Sequence, residues 1–325
     1  MRRRRLLLAA AATAAAAMPR LAVAQARPAR IGWVTAQRPP SLVPYVAAFR
    51  TSLAELGFAE GKNLTIDFRY GDDDLGKVRG LTEELIRLPV DLLVAQGAAV
   101  SEVREVKPPV PVVYAYSGDP VAAGFCESLA RPTGNMTGVT FMAAEMNGKR
   151  LELLREFVPG MRRATLLANP EHPGESSERA IAESAARRIG LDVGYLAART
   201  TDELNAAFTK MTADRSQGIS LFADGFAVQN RDVIIAFAMR QRIPLISGWP
   251  VFAHSGALCT YGPRLEDSYR RLAYFVDRVL RGSKPADLPI EQPTTIETIV
   301  NLKTADVLGL SVPQSVLVRA DHVIR

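Results

Sequence analysis

Cysteine and histidine are scarce in this chain: Cys126 and Cys259, then His172, His254 and His322, are all that 325 residues contain. So few cysteines exclude a disulfide scaffold and thiolate-built metal centres. Both sit in apolar surroundings, GFCES and ALCTY, where a free thiol serves as packing. They fall in different lobes on the reading developed below, which argues against their pairing. None of the histidines has a second ligand-type residue at metal spacing, so no metal site is expected. Catalytic signatures are missing as well. GFAEGK has the wrong spacing for a phosphate loop and no hydroxyl after Lys62. No G-x-S-x-G elbow and no G-x-G-x-x-G fingerprint occurs. Asp72-Asp73-Asp74 lacks the spaced ligands of a calcium loop and reads as a solvated turn. His254 has Ser255 beside it but no third group, which leaves a hydrolase unsupported. Neither an enzyme nor a cofactor is expected.

An excess of positive charge is also missing once the start of the chain is set aside. Residues 1–26 read MRRRRLLLAAAATAAAAMPRLAVAQA. Arg2 to Arg5 form a basic region, Leu6 to Ala17 an apolar run too short to span a bilayer, and Ala24-Gln25-Ala26 a small-x-small cleavage site. These are the parts of a secretory signal peptide, cleaved after Ala26. Paired arginines also suit twin-arginine export, and the absence of a nearby cysteine argues against a lipid anchor. The leader takes away five arginines and no acid, so the formal charge falls from +6 to +1. A basic footprint for nucleic acid is not supported. The expected product is periplasmic and not embedded in a membrane.

What is present is a near-continuous alternation of strand and helix. ARIGWVTA reads as a buried strand, followed by a helix through Tyr45, Phe49, Leu53 and Leu56 that Gly57 stops. NLTIDFRY alternates as a half-exposed strand, a helix spans 75–88, and DLLVAQG and VPVVYAYS bracket a short third helix. The pattern restarts after TGVTF with a helix ending at Pro159-Gly160. ATLLANP, LDVGYLA, GISLFAD and IPLISGW then alternate with helices. Strand–helix alternation implies parallel sheets covered on both faces. Some 299 residues exceed a single core, so two doubly wound α/β lobes are expected, connected near residue 140 with a cleft between them.

Ligands in open parallel sheets lie beyond the carboxyl ends of the strands. The residues there are Thr35, Gln37, Gln96, Gly97, Ala98, Tyr116, Ser117, Asp119, Asn169, Asp224, Trp249 and Tyr261. Short hydrogen-bonders, carboxylates for an ammonium and aromatics for apolar parts suit a small zwitterion or polar metabolite. Each has an ordinary alternative: Asp119 and Asp224 as N-caps, Asn169-Pro170 as a turn, Trp249 as core. VVYAYSGDP poses the choice most sharply, since its Ser-Gly-Asp-Pro end suits a turn as well as a site. A helix is expected to begin at Asp119.

SGDPVAAGFCESLARPTGNMTGVTF, KRLELLREFVPG, LLANP and the tail from YGPRLEDSYRRLAYF through DLPIEQPTTIETIVNLKTADVLGL to VRADHVI closely resemble the periplasmic substrate-binding proteins of ABC transporters. The likeness runs from Ile31 to Arg325. AYSGDP and FADGFAV depart from commoner forms of those segments. The resemblance implies a type I periplasmic-binding-protein-like fold, with lobe 1 at 30–139 plus 263–290 and lobe 2 at 140–262 plus 291–325. It also implies hinge closure on a small-molecule ligand, an amino acid or related metabolite, and delivery by a monomer to permease subunits. An exported enzyme working in the same cleft, or a ligand-sensing subunit for a membrane sensor, is the alternative.

Overall fold

The computed structural model describes residues 27–141 and 145–325; the leader read at 1–26 lies outside the described residues. Strand β1 (Ala29–Thr35) opens the chain, and its Ile31, Trp33 and Val34 are inaccessible because layers cover both faces of its sheet. Helix α1 (Val43–Glu55) starts with a proline in its first turn and stops before Gly57, whose φ of 95° ends the helix in the left-handed region. Strand β2 (Leu64–Tyr70) buries Leu64 and Ile66 and exposes the residue between them, the pattern of a sheet edge. Asp74 then caps a short 3-10 turn leading into α2 (Val78–Ile86) by accepting from the Gly76 amide at 2.9 Å. Strand β3 (Leu92–Gln96), helix α3 (Ala99–Val106) and strand β4 (Val112–Tyr116) follow, all five β4 residues buried.

After β4 the expected helix does not form. Residues 120–124 make turns, and the chain forms a small hairpin of β5 (Cys126–Ser128) and β6 (Arg131–Pro132). Strand β7 (Met136–Thr140) then completes a parallel sheet in the order β2-β1-β3-β4-β7.

The second sheet starts after helix α4 (Met146–Phe157). Strands β8 (Arg163–Ala168), β9 (Asp192–Ala197), β10 (Ile219–Leu221), β11 (Leu245–Ser247) and β12 (Cys259–Pro263) are parallel to one another. Between them lie α5 (Glu175–Arg188), α6 (Thr201–Ala213), α7 (Gly225–Gln229), α8 (Arg231–Arg240) and α9 (Pro250–Ser255). From β12 the chain leaves for α10 (Leu265–Leu280), which packs on α1 and on β4 and β7 of the first sheet. It returns beside β7, where the Thr140 amide donates to the Glu291 carbonyl at 2.8 Å.

One pairing in this sheet runs against the all-parallel expectation. β13 (Ile296–Asn301) pairs antiparallel with β12, Pro263 opposite Ile296. The chain re-enters the sheet at the end by which β12 left it, so the strand must run backwards. Helices α11 (Leu302–Leu308) and α12 (Gln314–Arg319) precede the last strand, β14 (His322–Ile324), which is parallel to β13 and gives the order β14-β13-β12-β11-β10-β8-β9. One apolar cluster runs through both lobes, from Trp33, Phe49 and Tyr269 to Leu221, Phe237 and Trp249. Cys126 and Cys259 are buried free thiols, and burial pushes Cys259 up to about 12. No helix among the described residues is long and apolar enough to cross a membrane.

Candidate functional site

Parallel strands put all their carboxyl ends on one edge, and here the two such edges face each other across a cavity of about 110 Å³. From the first sheet come Ala36 and Gln37 after β1, Asp73 and Leu75 after β2, Gln96, Gly97 and Ala98 ending and following β3, Ser117 after β4 and Phe141 after β7. The second sheet supplies Asn169, Glu171, His172 and Pro173 after β8, Arg199 after β9, Asp224, Gly225 and Phe226 after β10, and Trp249 after β11.

Most of the polar walls are pinned by their neighbours. The Thr35 hydroxyl donates to Gln96 Oε1 at 2.6 Å and accepts from the Gln37 amide at 3.1 Å, so Thr35 orients two lining residues from behind them. Gly97 turns the chain out of β3 with φ 66°, a conformation a side chain would strain, and its amide donates to the Ala115 carbonyl at 2.8 Å. On the facing wall Asn169 Nδ2 donates to Asp224 Oδ2 at 2.6 Å, while Asp224 Oδ1 accepts from the Ala227 amide at 2.7 Å and so caps α7. Asp224 is buried, and desolvation raises its carboxyl above the usual range against the opposing charge of His172. His172 Nε2 lies 3.2 Å from Glu178 Oε1, both side chains 2% exposed. Burial works to lower this imidazole, but the charge and hydrogen bond of Glu178, with Asp224 and Glu175, outweigh it and raise it. At the mouth, Asp73 pairs with Arg38 at 2.9 Å and accepts from Gln229 Nε2 of the opposite lobe; burial raises its carboxyl too.

Four of the strand-end residues named from sequence lie elsewhere. Thr35 stands behind the wall. Tyr116 is buried against Tyr114 and Phe125 within another core cluster. Asp119 turns its carboxylate onto its own backbone, accepting from the Val121 and Ala122 amides at 2.8 and 3.3 Å. Tyr261 lends its carbonyl to Arg150 Nε at 2.8 Å and lines a separate surface pocket. Sequence reasoning missed Asp73, His172, Arg199 and Phe141. A signal existed for three of these: each lies one to four residues past a strand end, and the reading stopped at the first residues or skipped the strand. Asp73 was hidden in a triplet that reads as solvated. Among the described residues no group of three His, Cys, Asp or Glu side chains is placed to hold a metal.

Three comparisons bear on this geometry. A family model described as ABC transporter substrate binding protein matches residues 34–324. A tyrosine-binding protein of Clostridioides difficile is 23% identical over 288 residues, covering 87% of this chain and 82% of that one. Among solved structures, the ABC domain from Streptococcus pneumonia in complex with L-Trp superposes with a TM-score of 0.85 at 25% identity, covering 91% of this chain and all of that one (100%). A conserved domain protein from Vibrio cholerae gives the same TM-score, 0.85, at 21% identity, with 91% and 100% covered.

Proposed function

The chain belongs to the ABC transporter substrate binding protein family, and we propose that it captures a small ammonium-bearing solute, an amino acid or close relative, in the cavity between its lobes. The observation that carries this reading is the convergence of strand ends from both sheets on one cavity, with a buried carboxylate on one wall and aromatic surface beside it. Asp224 accepts the ammonium group, Gln37, Gln96, Ser117 and Asn169 offer hydrogen bonds, and Phe141, Phe226 and Trp249 cover the apolar part. The tyrosine and L-Trp relatives support a solute of this class.

The two moving bodies are 30–139 with 263–290, and 140–262 with 291–325. Packing of α10 on α1 supports the first of these. Three crossings limit their relative motion to hinge bending, and the solute favours the closed form. The closed receptor presents its solute to permease subunits as a periplasmic monomer cleaved after Ala26, and it performs no chemistry of its own.

A melting-temperature screen of amino acids, including L-tyrosine and L-tryptophan, against amines, sugars and purines tests the solute class. A ligand binding only the folded state raises the midpoint; a hundredfold excess over Kd is worth about 2.7 kcal/mol. Stabilisation by amino acids or amines is expected. A response to sugars alone would overturn the ammonium reading.

A further inference from the structure

His172, which lines the cavity, forms a buried pair with Glu178 behind it. Glu178 projects from α5, and its Oε2 has no hydrogen-bond partner among the described residues. Arg150, on α4 and fully buried, donates to the Tyr261 carbonyl and to Asn147 Oδ1 at 2.8 Å each, and its Nη2 is likewise without a partner. Burial pulls this guanidinium down to about 10 while the charge of Glu178 holds it up. Asp224 and His172 thus share the cavity wall, with Glu178 against His172 and Arg150 in the electrostatic reach of Glu178.

Charges removed from water cost several kcal/mol each unless opposed. A neutral imidazole would leave Asp224, Glu178 and Glu175 of one sign around it, with only Arg150 behind. A protonated one balances the row. We propose that His172 is held as an imidazolium between Glu178 and Asp224, and that its charge keeps Asp224 ionised as the cavity's anionic acceptor. His172 is thus a positioning residue that sets the pH range of solute capture. The groups facing the row are Glu175 and Glu178 from α5, Arg150 from α4, and Asp224 from the turn before α7. Asp73, itself paired with Arg38, faces Asp224 from the other lobe, and the Glu171–Arg199 pair stands at the rim.

The inference rests on the proposed role of Asp224 only for its binding arm. With three histidines in the chain, carbon-13 spectra of the imidazole Cε1–H groups resolve His172 by its loss in His172→Gln. In the ligand-free protein its titration midpoint is expected above the ordinary 6.5 of histidine and should drop in both Asp224→Asn and Glu178→Gln. A midpoint at or below 6.5, or one that Asp224→Asn leaves in place, overturns the proposal. The binding arm uses L-tyrosine as probe between pH 5.5 and 8.5. In His172→Gln, which keeps a donor toward Glu178, affinity is expected to fall about tenfold or more at neutral pH, the equivalent of ~1.4 kcal/mol. It should recover as pH rises and Asp224 ionises unaided, so that the gap from the wild type narrows. Equal affinity and equal slope in both proteins also overturn it. If L-tyrosine binds neither protein while the spectra behave as stated, the solute class fails and the charged row stands.

Discussion

Asp119 and Asp224 each follow a parallel strand, yet their carboxylates meet different partners. Asp224 faces the cavity with one edge held by Asn169 and the Ala227 amide. Asp119 folds onto the Val121 and Ala122 amides, the local bonding that favours Asp in turns. Replacing Asp119 by alanine, which removes these turn hydrogen bonds, is expected to lower stability by ~1 kcal/mol and leave solute affinity within twofold. Asparagine, which keeps an acceptor, should be harmless to both. Denaturant melts and a titration of each variant decide the matter; a large affinity loss with unchanged stability would return Asp119 to the site. The distinction was not legible in the strand-end pattern, because both carboxylates occupy the same position relative to a strand. Direction of the side chain depends on whether a helix or a turn follows, and Pro120 and Gly124 led the chain into turns.

At the scale of elements, alternation of apolar strands and helices made both parallel sheets legible, and with them the edge on which the cavity lies. Hairpin β5–β6 was not, since strands of three and two residues carry no period to read. Nor was the direction of β13, which is decided by where the returning chain re-enters its sheet. Caps follow local rules throughout. The Thr200 hydroxyl accepts from the Glu203 amide at 3.2 Å and starts α6, while the Glu203 carboxylate accepts from the Arg199 amide at 2.9 Å. This is close to a capping box and also fixes the residue that lines the cavity rim. Thr200→Ala should destabilise the protein by ~1 kcal/mol, read from the denaturation midpoint, and Thr200→Ser should restore most of it. Because α6 is tied to α8 by Phe208 stacked on Phe237 at 4.1 Å, a loss well above that value would mean the cap holds both helices.

The whole molecule is drawn with its lobes together: Gln229 donates to Asp73 across the mouth, and Gly225 lies against Gln37. A Cβ on residue 225 would sit 2.8 Å from Gln37 Cγ and 2.7 Å from its Nε2, so a side chain there displaces the Gln37 side chain and, where it is branched, crowds the join between the lobes. Overpacking of this kind costs about 1–3 kcal/mol, all of it charged to the closed form. Gly225→Val is therefore expected to weaken solute binding roughly tenfold or more and to enlarge the radius of gyration at saturating solute, with the ligand-free melting temperature little changed. Scattering profiles identical to the wild type would show that closure does not need this contact. Packing of α10 on α1 has a different kind of consequence. Arg281 donates to the Leu56 carbonyl from 225 positions away, so the cover of the first lobe's core is made late. Alone, the first residues can set α1 on β1, Phe49 against Trp33 at 5.0 Å, but its cover by α10 comes only after most of the chain. Contacts this distant along the chain slow the closing of a core, so the docking of α10 on α1 is expected to be a late step in folding the first lobe.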